Sequence, residues 1–119
     1  MIFGTGELEA GVPAAVRAAG ISGVKSLSFA PGPAALGDIK AGTSTAALGY
    51  DLVIQEWTQV DQGAREIAGQ PLSGPEAQGL PVVQFLTQRS ITFDPAKGWT
   101  GYPDFAQRFA KLWGGSGGA

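Results

Sequence analysis

The sequence predicts a small α/β fold, in which a short parallel sheet has its strands joined by crossover helices. Short apolar segments typical of strands alternate with segments whose apolar residues recur at helical spacing. Glycine and proline fall between these segments, and 119 residues is the length of one small domain. Such an alternation is typical of a parallel sheet that is covered by its own connecting helices.

The first half of the chain predicts three strands with two helices between them. In chain order these are a strand at Ile2-Phe3, a helix over 7–19, a strand over 22–29, a helix over 34–41 and a strand over 43–48. Pro13 is tolerated only in the first turn of a helix, so we expect the first helix to begin near Val12 or to bend there. Pro33 suits the first position of the second helix, and Gly42 suits the position after its last turn.

The second half predicts a long helix, a strand and a short helix. Asp51 is predicted to cap a helix over 52–68, whose apolar residues fall on one stripe. That stripe comprises Val53, Trp57, Val60, Ala64 and Ile67. A strand over 80–87 and a helix from Phe105 to Trp113 follow, and we expect residues 114–119 to form a flexible tail.

The composition excludes several classes of function. The net charge of −2 gives no basic surface for nucleic acid. The chain contains no cysteine and no histidine, which excludes a disulfide framework, a zinc–thiolate site and a Ser-His-Asp triad. No grouping of the remaining reactive residue types stands out, so we expect no metal, no cofactor and no enzymatic activity. No apolar run approaches the ~20 residues that a membrane span needs.

Two phosphate-binding motifs are incomplete. Gly4-Thr5-Gly6 begins a dinucleotide-type glycine pattern, but the position of its third glycine is occupied by Glu9, whose charge repels a pyrophosphate. The run from Gly23 to Ser26 has the wrong order for a P-loop. Glu7 and Glu9 are close enough in sequence to suggest a carboxylate pair, but residues two apart do not share a helix face. We therefore interpret them as acids that offset a helix dipole.

Trp57 is predicted to be a core or interface residue, and Trp113, with Phe109 and Leu112, is predicted to dock the last helix. Trp99 lies near Tyr102 in a glycine-containing loop. Such an aromatic residue can stack on a sugar ring, but large aromatic side chains more often anchor a segment by burial. We therefore interpret Trp99 as an anchor.

Three residues come directly after predicted strands: Thr5, Ala30 and Tyr50. Ligands of open α/β sheets bind in the crevice outside the carboxyl ends of the strands. These three residues are therefore the candidate ligand-binding residues.

Several segments resemble one family of binding proteins. They are Gly11-x-x-x-Ala15-x-x-x-x-Gly20, Leu27-Ser28-Phe29-Ala30, Ala35-Leu36-x-x-Ile39-Lys40-Ala41-Gly42, Thr45-Ala46-Ala47-Leu48, Ala64-Arg65-Glu66-Ile67-Ala68-Gly69, Val82-x-x-Phe85-Leu86-Thr87 and the closing run from Trp99 to Gly114. Together they resemble the C-terminal part of ribose-type periplasmic binding proteins, the type I substrate-binding proteins of sugar ABC importers.

The resemblance implies a partial lobe of a two-lobed fold. Residues 1–50 would be part of the C-terminal ligand-binding lobe. Residues 51–113 would supply a crossover helix, a return strand and the C-terminal helix of the same fold. The implied function is capture of a sugar or a related small molecule for an ABC permease.

The candidate site departs from the family's pattern. Sugar-binding members carry Asn, Asp and Gln where this chain has Thr5, Ala30 and Tyr50, so a simple pentose or hexose loses hydrogen-bond partners here. A buried polar group without a partner costs about 1–3 kcal/mol. This chain is therefore expected to take a less polar or aromatic ligand, or to contribute only shape to the site.

Two alternatives to the importer component are an effector domain of a lactose-repressor-like regulator and a free-standing α/β interaction module. The family resemblance implies a periplasmic or extracellular lipoprotein, although the first residues lack the basic region of a secretory signal. A sheet and a helix over 52–68 without their covering lobe would leave apolar surface exposed, which predicts a homodimer.

Overall fold

The computed structural model describes residues 2–6, 8–72 and 83–114. Within them it contains four strands, β1 (Ile2–Thr5), β2 (Ser26–Phe29), β3 (Ala46–Tyr50) and β4 (Val83–Thr87). The four α-helices are α1 (Val12–Ala18), α2 (Pro33–Ala41), α3 (Leu52–Ile67) and α4 (Phe105–Leu112), and a 3-10 turn spans Pro95–Lys97. Met1, Glu7, residues 73–82 and most of the predicted tail lie outside the described residues.

The strands form one open sheet in the order β1-β2-β3-β4. β1, β2 and β3 run parallel, while β4 runs antiparallel to β3. The predicted α/β class with a mostly parallel sheet is therefore confirmed. The direction of β4 differs from the all-parallel expectation. β4 begins beside the carboxyl end of β3, with Val83 opposite Tyr50, and runs back along β3.

Proline and glycine set the ends of the early helices as the sequence predicts. α1 begins at Val12 with Pro13 in its first turn, and α2 begins at Pro33. Gly42 ends α2 in the left-handed conformation, with φ of 76°, which glycine adopts without steric penalty. No helix in the described ranges is long and apolar enough to cross a bilayer.

The chain divides into two compact units, and each unit is built from two segments of the chain. The first unit comprises Met1–Tyr50 and Val83–Trp99, and the second comprises Asp51–Val82 and Thr100–Ala119. The sheet, α1 and α2 belong to the first unit, whereas α3 and α4 belong to the second.

The core of the first unit lies on one face of the sheet. Its members are Leu36 and Ile39 from α2, Ala47 from β3, Leu86 from β4, and Ile91. Phe93 and Trp99 pack against this cluster, so Trp99 is an anchor as expected. A Cβ on Gly49 would lie 3.0 Å from the Trp99 ring, so the small residue makes room for the indole.

The opposite face of the sheet is apolar and incompletely covered. Because side chains alternate along strands, the register places seven side chains on it beside the buried Ala46 and the half-buried Thr87. They are Thr5, Leu27, Phe29, Leu48, Tyr50, Val83 and Phe85, and we call them the open face. None of them is buried, and Val83 and Phe85 remain 49% and 57% exposed.

An aromatic cluster joins the two helices of the second unit. The indole rings of Trp57 and Trp113 are stacked, with centroids 5.5 Å apart and planes 5° from parallel. Phe105 and Phe109 also lie against Trp57, each at 5.4 Å. Trp113 therefore docks the C-terminal helix as predicted, and the ring that it docks on is Trp57.

Candidate functional site

The carboxyl ends of the three parallel strands bring the predicted site residues to one edge of the sheet. Thr5 ends β1, Ala30 follows β2, and Tyr50 ends β3. Two backbone hydrogen bonds fix these strand ends side by side: Gly6 N donates to Phe29 O, and Ala30 N donates to Leu48 O, both at 2.9 Å. Neighbouring strands thus hold the three residues side by side, with Thr5 exposed and the other two half-buried.

Two loops approach each other closely at this edge of the sheet. A Cβ on Gly6 would lie 2.5 Å from Ala30 O, 2.6 Å from Pro31 Cα and 2.7 Å from Gly32 N. All three are backbone atoms, which cannot move aside like the end of a flexible side chain. Gly6, which the sequence offered as part of a failed phosphate motif, is therefore the contact point between the β1–α1 and β2–α2 loops.

Ala30 adopts an unusual backbone conformation. Its φ is 49°, in the left-handed region, and it is the one non-glycine residue with positive φ within the described ranges. This conformation costs roughly 1–2 kcal/mol for a residue with a Cβ. Strain of this kind concentrates at functional sites, and here it turns the chain from β2 toward α2.

Phe29 is a site residue that sequence analysis missed. The rings of Phe29 and Tyr50 lie 5.4 Å apart with their planes at 42°. Phe29 is also the register partner of Thr5, so all three side chains share the open face. The signal was present in the sequence, since Phe29 immediately precedes Ala30. Its face, however, depends on the strand register.

The resulting site has two aromatic rings and two hydroxyl groups. Thr5, Phe29 and Tyr50 carry no charge, so the row offers ring stacking together with a few hydrogen bonds. Ala30 contributes the turn and a small side chain beside them.

The acidic residues near β1 differ from the sequence interpretation. Glu9 does not lie in α1, which starts three residues later, and its side chain is 5% exposed. It packs against Gly4 rather than serving as a surface acid at a helix end. Glu7 lies outside the described residues.

Among the described residues, no group of three or more acidic side chains is placed to hold a metal ion. Comparisons of the chain with protein-family models, with curated proteins and with solved structures find no significant match.

Proposed function

We propose that this chain binds a small, weakly polar ring compound at the carboxyl edge of its sheet, as the C-terminal segment of a solute-binding protein of an ABC importer. The observation that supports the proposal most directly is the row of Thr5, Phe29 and Tyr50 on three adjacent strands. Ligand capture in this proposal is non-enzymatic.

The chemistry of the row favours a neutral ring over a charged ligand. Phe29 and Tyr50 offer apolar ring faces, and aromatic pairs contribute about 0.5–1.5 kcal/mol beyond the area that they bury. The hydroxyls of Thr5 and Tyr50 can orient one or two polar substituents. No Asp, Asn or Gln lies in the row to hold the many hydroxyls of a free sugar.

The transport setting belongs to the same proposal and rests on the sequence resemblance. In that setting the chain serves a permease from the periplasmic or extracellular side. The strained turn at Ala30 supports a binding role at this edge, because backbone strain of this kind concentrates at functional sites.

The binding proposal is tested by titrating the full chain with phenol, indole, D-ribose and D-glucose, and following the backbone amides by NMR. We expect phenol or indole to shift the amides of Gly6, Ala30 and Tyr50 at lower concentration than either sugar. Tyr50→Ala should weaken this binding about tenfold, which equals the loss of ~1.4 kcal/mol of contact.

Tyr102→Ala is the matched control, because Tyr102 is the chain's other tyrosine, is also partly exposed and belongs to none of the strands. It should leave the affinity unchanged. The proposal is wrong if none of the four compounds shifts these amides, or if Tyr50→Ala binds as tightly as the parent chain.

A further inference from the structure

Glu9 is the one buried side chain in the segment from residue 8 to residue 25. It is 5% exposed, while every other residue of that segment is half-buried or exposed. α1 lies within this segment and has no buried residue of its own. A carboxyl group thus provides the deepest contact that this segment makes with the rest of the first unit.

The carboxyl group occupies a space that β1 and β2 leave for it. Glu9 Cγ lies 3.0 Å from the place that a Cβ on Gly4 would take, so a side chain at position 4 would press against Glu9. The fully buried hydroxyl of Ser28 lies beside it. Neither Glu9 Oε1 nor Ser28 Oγ completes a hydrogen bond of standard geometry with another described group. Burying an ionised carboxylate without such partners is far more costly than burying the neutral acid.

Backbone hydrogen bonds connect Glu9 to both ends of its loop. The amides of Leu8 and Glu9 donate to Thr5 O at 2.9 and 3.2 Å, and Glu9 O accepts from Val12 N at 3.0 Å. Glu9 therefore joins the last residue of β1 to the first residue of α1. A movement of the Glu9 side chain can therefore displace α1 through these backbone hydrogen bonds.

α1 itself packs loosely on the first unit. An open groove of about 290 Å³ runs along it. Its lining comprises Val12, Pro13, Val16 and Arg17 on the helix side, and Val24, Ser26, Gly42 and Thr43 opposite. Because none of the residues of α1 is buried, its apolar side chains supply little docking energy.

We infer that Glu9 is a proton-dependent latch for the segment 8–19: the neutral carboxyl group docks between Gly4 and Ser28, and ionisation withdraws it and releases α1. Asp38 of α2 is the charged group that faces Glu9, and its negative charge opposes ionisation in the docked state. β2 contributes the uncharged Ser28, and β1 contributes Gly4. The latch operates whether or not the carboxyl edge binds a ligand.

The direction of the pH dependence follows from the burial of Glu9. Burial raises the pKa of its carboxyl group above the ordinary value, the Ser28 hydroxyl partly offsets this, and Asp38 adds to it. A group whose pKa is raised in the docked state favours docking at low pH. The opening equilibrium constant should then rise by up to about tenfold per pH unit between the pKa values of Glu9 in the open and docked states.

Hydrogen exchange of the full chain tests the latch, measured from about pH 4 to about pH 8 and corrected for intrinsic exchange. The amides of Ala15 and Ala19 report on α1, because each is bonded within the helix. Their protection should fall as the pH rises, while that of the Ala30 amide in the sheet stays constant. Glu9→Gln should abolish the pH dependence and keep α1 protected.

Glu66→Gln is the control, since Glu66 is an exposed acid on α3. It should retain the pH profile of the parent chain. A flat profile in the parent chain, or a pH dependence that persists in Glu9→Gln, overturns the inference. Should Glu9→Gln fail to fold, the NMR titration of the Glu9 carboxyl carbon in the parent chain decides, because a pKa at or below the ordinary value is incompatible with the latch.

Discussion

Gly6 and Gly37 show how the surroundings of a glycine decide what a substitution does. Gly6 is packed against backbone atoms of the neighbouring loop, whereas nothing lies within 4 Å of a Cβ on Gly37 in α2. At the first position a methyl group has no room. At the second it only removes the conformational freedom that glycine brings to an unfolded chain.

We therefore expect Gly6→Ala to lower the free energy of unfolding by about 1–3 kcal/mol, the usual effect of overpacking. Gly37→Ala should raise it by about 0.5–1 kcal/mol, as an alanine does in a helix interior. Urea denaturation of both variants checks the pair. Equal stabilities would contradict the close contact between the two loops.

At the residue scale, the sequence predicts which residues follow a strand but not which side chains meet across the sheet. Thr5, Ala30 and Tyr50 were placed at the edge because each follows a strand, a local property that the sequence carries. Phe29 was missed because its face depends on the pairing of β1, β2 and β3. Glu9 was misread because its contact with Gly4 arises only when the loop turns back on the sheet.

At the scale of elements, Asp51 does more than the N-cap that the sequence predicts. Its carboxylate accepts from Ile54 N at 3.1 Å, which caps α3. It also accepts from Thr100 Oγ1 at 2.7 Å and from Gly101 N at 2.8 Å, and the residue is fully buried. One side chain therefore begins α3 and secures the loop that leads to α4.

Asp51→Ala should destabilise the second unit by about 3 kcal/mol, because a cap contributes about 1 kcal/mol and a hydrogen bond to a charged group about 1.5–3 kcal/mol. Thermal unfolding followed by near-ultraviolet circular dichroism checks this through the stacked Trp57 and Trp113. Asp94→Ala is the control, since Asp94 accepts one exposed bond within its own turn. Similar losses in the two variants would contradict a long-range role for Asp51.

Two strand boundaries differ from the predictions because of contacts that lie outside the strand concerned. The strand predicted over 22–29 is formed only over Ser26–Phe29, because β1 offers four residues to pair with it. The strand predicted over 43–48 starts at Ala46, because the amides of Thr43 and Ser44 bond to Asp38 O and complete the end of α2. Neither limit is visible in local periodicity, since the first depends on pairing with β1 and the second on how α2 ends.

At the scale of the whole molecule, the open face is an uncharged surface at an exposed sheet edge. β4 is an edge strand, and Val83 and Phe85 project from it largely exposed. Exposed edge strands with apolar side chains are templates for pairing with another chain. Val60 and Ile67 on α3 are likewise exposed, at 63% and 91%.

We expect the chain to self-associate, with the open face as the principal contact. Phe85→Lys should raise the dissociation constant at least about tenfold, because burying one large apolar side chain contributes about 1.5–3 kcal/mol. Leu8→Lys makes the same charge change at a residue that is 78% exposed and lies outside the strands, and it should have little effect. Light scattering during size-exclusion chromatography separates these outcomes, and a monomer at every concentration would contradict the expectation.

The expected self-association and the proposed ligand binding would use the same surface. Thr5, Phe29 and Tyr50 belong to the open face, so a second copy seated there covers the candidate site. Phenol or indole should therefore shift the population toward monomer as it binds.

The antiparallel return of β4 also matters for protein engineering. Tyr50 and Val83 flank the segment 51–82 and are directly opposed as a cross-strand pair. Short Asn-Gly turns connect strands in this arrangement. The segment is therefore a replaceable cassette: a designer can exchange it for a tight turn, or for a foreign domain whose termini lie close together, and keep the pairing of β3 with β4.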